Sequence, residues 1–218
     1  MILQNCSRIR DEIDRITKEN GIGQNVTLVA VTKNQPIEVI PQLADAGITN
    51  FAENRVQALE ERAEHMPGTR HLIGHLQTNK VKKAIACADL IHSVDSFHLA
   101  KEIDRCAKAA GKTVHVLIQV NVAKEPQKYG VPEEDLDSLL KEVSSLENLR
   151  IRGLMAIMPI ETQDAFYKKM YELYRNYAEA KPYNINMDIL SMGMSNDYTT
   201  AVRYGANMVR IGTALYQE

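Results

Sequence analysis

The chain has 218 residues, 44% of them hydrophobic, which suffices to bury a full core and falls within the range that a barrel fills as one domain over residues 1–218. Its 26 basic and 28 acidic side chains leave a net charge of -2 without a basic tract, which argues against a nucleic-acid partner. Cys6, Cys87 and Cys106 share no metal-type spacing, Met1-Ile2-Leu3-Gln4 lacks the regions of a signal peptide, and no apolar run approaches the roughly 20 residues of a membrane span; the expectation is a reduced, cytoplasmic protein with no membrane partner.

In chain order, Leu3, Ile9, Ile13 and Ile16 recur among charges at helical spacing over residues 3–20, and the pattern stops at Asn20-Gly21. This predicts an N-terminal helix. Eight strand candidates follow: Val26 to Thr32, Asn50 to Glu53, His71 to Gly74, Leu90 to Val94, Val114 to Asn121, Arg152 to Ile157, Ile189 to Met192 and Met208 to Ile211. A helical stretch follows each, the last one short, and Gly47, Gly111 and Gly205 stand where left-handed C-caps are wanted. Eight βα units without a linker predict a single (β/α)8 TIM-type barrel with an additional N-terminal helix. A doubly wound open sheet is the competitor, but no GxGxxG follows the first strand.

In such a barrel every strand ends at one mouth, so the strand map becomes a site map. It places there Lys33, Glu53, Asn54, Gly74, His75, Ser93, Asn121, Met155, Ser191 to Ser195, and Arg210 to Thr213. Lys33 ends the run Leu28-Val29-Ala30-Val31-Thr32 and is the candidate amine for a carbonyl ligand. To attack it must be at least partly deprotonated, which burial or a cation such as Arg210 would favour. Met192-Gly193-Met194-Ser195-Asn196-Asp197 and Arg210-Ile211-Gly212-Thr213 offer glycines, hydroxyls and free N–H groups after the seventh and eighth strands, where barrels frequently bind phosphate. The alternative is that Ser195, Asn196 and Asp197 only cap a helix.

An amine and a phosphate cup on one rim point to pyridoxal phosphate. Arg210 could face the pyridine nitrogen, where a guanidinium has no proton to give and would leave the ring a poor electron sink; the alternative is a barrel-end salt bridge.

Several blocks resemble the pyridoxal phosphate homeostasis proteins, a family related to the barrel domain of alanine racemase. They are Val29-Ala30-Val31-Thr32-Lys33, Phe51-Ala52-Glu53-Asn54, His71 to Lys80, Ile91-His92-Ser93-Val94-Asp95, Gln119-Val120-Asn121, Gly153-Leu154-Met155, Leu190 to Ser195 and Val209-Arg210-Ile211-Gly212. The resemblance implies pyridoxal 5'-phosphate on Lys33 as a Schiff base, Asn54 beside the cofactor, the phosphate around Ser195, Gly212 and Thr213, and Arg210 at the ring nitrogen. It implies a carrier or buffer of the cofactor, a monomer, with apo-enzymes that need the cofactor as candidate recipients. The family usually has glycine and tyrosine at Ala52 and Arg55, so the rim after the second strand departs from the pattern.

Two other functions compete. A pyridoxal-phosphate racemase needs a second base, and the chain stops soon after Gly212 without an obvious one; a Schiff-base aldolase would use Lys33 without a cofactor. His71, His75 and His92 lie on two strands without a carboxylate or cysteine at ligand spacing, so no metal is expected. Lys80, Lys82 and Lys83 read as a solvated helix face, with attraction of an anionic partner as the alternative, and Phe166, Met170, Leu173, Tyr174 and Tyr177 read as a core stripe.

Overall fold

Ile2, Cys6, Ile9, Ile13 and Ile16 recur every three or four residues and bury one stripe of α1 (Ile2–Glu19), which ends where Gly21 turns left-handed at φ 69°. The structure is a computed structural model describing residues 1–159 and 164–217. The α1 stripe packs against α2 (Val39–Asp45), α8 (Tyr198–Arg203) and α9 (Thr213–Tyr216). Asn5 fastens it to the last of these by donating to the carbonyls of Leu215 and Gln217.

The strands are β1 (Thr27–Val31), β2 (Asn50–Glu53), β3 (Thr69–Leu72), β4 (Leu90–Val94), β5 (Val114–Gln119), β6 (Leu149–Met155), β7 (Ile189–Ser191) and β8 (Met208–Ile211). Each pairs in parallel with the next, and β8 closes on β1 with Val29 opposite Arg210. The eight-stranded barrel expected from the βα count is therefore the observed architecture. Helices α3 (Val56–Arg62), α4 (Val81–Cys87), α5 (Phe97–Ala109), α6 (Leu136–Ser144) and α7 (Asp164–Ala180) complete the outer ring.

Alternation along each strand sorts side chains between two cores. Val29, Val31, Ala52, Leu90, Leu117, Met155 and Met208 cluster apart from the larger layer that contains Leu28, Ala30, Phe51, Leu72 and Ile91. Strands covered on both faces read as continuous apolar runs for this reason. Each buried Leu, Ile or Val contributes about 1.5–3 kcal/mol.

Strand bounds differ where charge or a close approach disguises them. β6 begins at Leu149, not Arg152, because Arg150 is exposed and Arg152 pairs with Asp188, so the strand opens on charges. It stops at Met155, not Ile157, and β5 stops at Gln119, not Asn121. β3 lies two residues earlier than expected, since Gly74 passes the neighbouring loop so closely that a Cβ there would stand 2.0 Å from the Asn54 carbonyl oxygen. Gly47, Gly111 and Gly205 have positive φ at the predicted C-caps. In α7 Met170 is buried while Phe166, Leu173, Tyr174 and Tyr177 pack against the core, as their spacing implied.

Candidate functional site

Lys33 sits two residues beyond β1, on a turn that Asn34 completes in the left-handed region at φ 61°. The turn is held from three directions. The Thr32 hydroxyl donates to Glu53 Oε1 at 2.6 Å, Arg62 donates to the carbonyls of Thr32 and Gln35 at 3.1 and 2.6 Å, and the Tyr216 hydroxyl donates to the Val31 carbonyl at 3.1 Å. Glu53 is buried, which pushes its carboxyl up, while the Thr32 hydroxyl and the Arg62 guanidinium pull it back. The Lys33 side chain itself is exposed.

A cavity of about 230 Å³ opens against this turn, lined by Val31, Lys33, Ile73, Met194, Ser195, Asn196, Asp197, Arg210, Gly212 and Thr213. Five of the six predicted cofactor residues therefore line one cavity. Asn54 is the sixth; it lies exposed on the next loop and is not part of that lining.

Within the cup, Ser195 Oγ accepts the N–H groups of Gly212 at 3.1 Å and Ala214 at 3.2 Å. Those amides open α9. Ser195 and Asn196 do not cap α8, which begins only at Tyr198; the amides that Ser195 does accept are those at the start of α9. Asp197 holds the loop in place: its Oδ1 accepts the Met194 N–H and its Oδ2 the Tyr167 hydroxyl, both at 2.7 Å. Gly193, at φ 95°, runs close under this helix, where a Cβ would stand 2.6 Å from that of Ala201. The close approach expected of that glycine is present.

Arg210 is 3% exposed. Its guanidinium donates to Ser191 Oγ at 2.6 Å and to the Ala156 carbonyl at 2.9 Å. Burial pushes it down to about 10 against the opposing pull of Asp197, so it stays cationic at neutral pH. Behind it lies a line that sequence reading missed. Ser191 Oγ is 3.2 Å from His92 Nδ1, His92 Nε2 is 2.9 Å from His71 Nδ1, and His71 Nε2 is 3.0 Å from Asn50 Oδ1. Burial drives the His71 imidazole down to about 4 and His92 well below the ordinary histidine value, so both rings are neutral. Histidines inside otherwise apolar strands were the available signal.

The remaining mouth residues have structural work. Met155 belongs to the inner core, and Asn121 donates to the Glu125 carbonyl while accepting the Glu125 N–H, which shapes its own loop. His75 stacks on Tyr129 with ring centroids 3.7 Å apart. Ser93 is fully buried, and among the described residues its hydroxyl has no partner. Lys82 and Lys83 are exposed, Lys83 pairing with Glu60.

Barrel and cup together define a class: the family described as "Alanine racemase, N-terminal domain" matches residues 5–218. An alanine racemase from Clostridium difficile superposes with a TM-score of 0.76 over 99% of this chain and 56% of that one, at 16% identity, which shows a shared fold. Within that class, a pyridoxal phosphate homeostasis protein of Aquifex aeolicus is 37% identical over 99% of this chain and 97% of its own length. PipY of Synechococcus elongatus, solved with pyridoxal phosphate bound, is 33% identical with a TM-score of 0.86 over the whole of both chains. The chain belongs to the pyridoxal phosphate homeostasis protein family.

Proposed function

We propose that this barrel, as one domain, carries or buffers pyridoxal phosphate inside the cell, with Lys33 as the attachment amine. The observation that carries the reading is the one cavity that Lys33, Arg210, Ser195, Gly212 and Thr213 line together. Its donor set fits the ligand: an accessible amine for the aldehyde, a fixed guanidinium for the ring nitrogen, and the hydroxyls of Ser195 and Thr213 for the phosphate, with Ser195 Oγ oriented by the N–H groups of Gly212 and Ala214 that it accepts. When bound, pyridoxal phosphate supplies an electrophilic aldehyde and, where its ring nitrogen is protonated, an electron sink. Arg210 donates to that nitrogen and cannot protonate it, which favours storage over turnover. Asn54 borders the ligand from the next loop, apo-enzymes that need the cofactor are the recipients, and the barrel acts as a monomer in the cytoplasm.

Borohydride reduction of the loaded protein followed by peptide mass mapping tests the assignment. The expected product is a pyridoxyl adduct on Lys33 alone, lost in Lys33→Ala while the circular dichroism spectrum is unchanged. An adduct of equal yield on another lysine would move the site.

A further inference from the structure

A line of hydrogen bonds crosses the largely apolar interior of the barrel from β8 to β2 through β7, β4 and β3. Ser191 and His92 are fully buried and His71 is 1% exposed. Burying polar groups in such a core is unfavourable unless each finds a partner, and here each does.

The line has a direction. A guanidinium only donates, so Ser191 Oγ accepts from Arg210 and its own proton goes to the other neighbour, His92 Nδ1. His92 then carries its proton on Nε2 and donates to His71 Nδ1. His71 in turn carries its proton on Nε2 and donates to Asn50 Oδ1. The Asn50 amide is oriented for this by its Nδ2, which donates to Thr49 Oγ1 at 3.1 Å. The orientation of the guanidinium at the mouth is thus tied through three side chains to the opposite end of the barrel.

We propose that Ser191, His92 and His71 are positioning residues that aim the Arg210 guanidinium at the ring nitrogen of the bound ligand. The proposal rests on the cofactor reading above. Neutral imidazoles suit such a relay, because each accepts on one nitrogen and donates on the other, and neither adds charge beside a buried cation. Apolar replacements would leave Ser191 without an acceptor and one N–H of Arg210 free to swing.

Two measurements test it. In the ligand-free protein, nitrogen-15 NMR of the imidazoles should find both His71 and His92 neutral with the proton on Nε2; an Nδ1 proton on either ring would overturn the directed line. In the loaded protein, His92→Leu should weaken pyridoxal phosphate binding about 3- to 10-fold, the effect of one hydrogen bond, and shift the nitrogen-15 resonance of the labelled pyridine ring. His92→Asn, whose amide oxygen can take the place of Nδ1, should restore both. Ser191→Ala provides the same break with a smaller change of volume and should behave as His92→Leu does. Variants that match wild type in affinity and pyridine resonance would overturn the proposal alone. Equal losses in His92→Leu and His92→Asn would reduce His92 to a space-filling role and overturn it too. Wild-type protein that takes up no pyridoxal phosphate would instead sink the cofactor reading.

Discussion

The hydroxyl oxygen of Ser195 accepts the N–H of Gly212 at 3.1 Å, which ties the loop after β7 to the loop after β8. One side chain therefore shapes the cup and presents a hydroxyl to whatever anion enters it. Ser195→Ala should lower the preference for pyridoxal phosphate over pyridoxal by about tenfold or more, as expected for one hydrogen bond to a charged group. Affinities of both ligands at matched pH measure this, and an unchanged ratio would place the phosphate elsewhere.

Arg62 reaches under the lysine turn and holds two of its carbonyls. Arg62→Ala removes both bonds and leaves Glu53 without its nearest cation, so a destabilisation of about 1–3 kcal/mol is expected. The same variant should slow covalent capture of the aldehyde, because Lys33 then samples a wider volume. Denaturant midpoints and stopped-flow absorbance separate the two effects; wild-type values in both would show that the turn holds itself.

Neutral His71 and His92 make stability depend on pH in a defined sense. Between the ordinary histidine value of 6.5 and the folded His71 value of about 4, the unfolded chain binds a proton on each ring that the folded chain refuses. Stability should thus fall as pH is lowered through that window, by about 1.4 kcal/mol per pH unit for each ring, and should gain nothing from these rings above it. Glu53 works in the opposite sense just above its ordinary value of 4.5, since its raised carboxyl keeps a proton longer in the folded state. Unfolding curves from pH 4 to 8 should show the net slope, and replacing both histidines by leucine should flatten it.

A carrier should give up its ligand faster than it processes amino acids. Holo-protein mixed with an apo-enzyme that needs the cofactor should restore that enzyme's activity, while L-amino acids keep their α-protons in deuterated water over the same interval. Rapid exchange at any α-carbon would favour the racemase instead.

The barrel was legible because both faces of its strands are covered, which writes each one as an apolar run, and because Gly47, Gly111 and Gly205 mark the helix ends. The cup was legible because consecutive strand ends meet at one mouth. What stayed hidden depended on register. Nothing in the local sequence of His71 or His92 says that the two rings face each other, or that Ser191, ninety-nine residues beyond His92, completes the path to Arg210. The turn of Lys33 was hidden for a similar reason: Arg62 and Tyr216 reach it from helices far along the chain.

The pairing of Val29 with Arg210 places the proposed ligand site astride the seam where the barrel shuts. Until the last strand docks on the first, a folding chain owns the amine but neither the guanidinium nor the cup beside it. Ligand capture thereby reports completed assembly, and a ligand that binds only the shut barrel will slow its reopening.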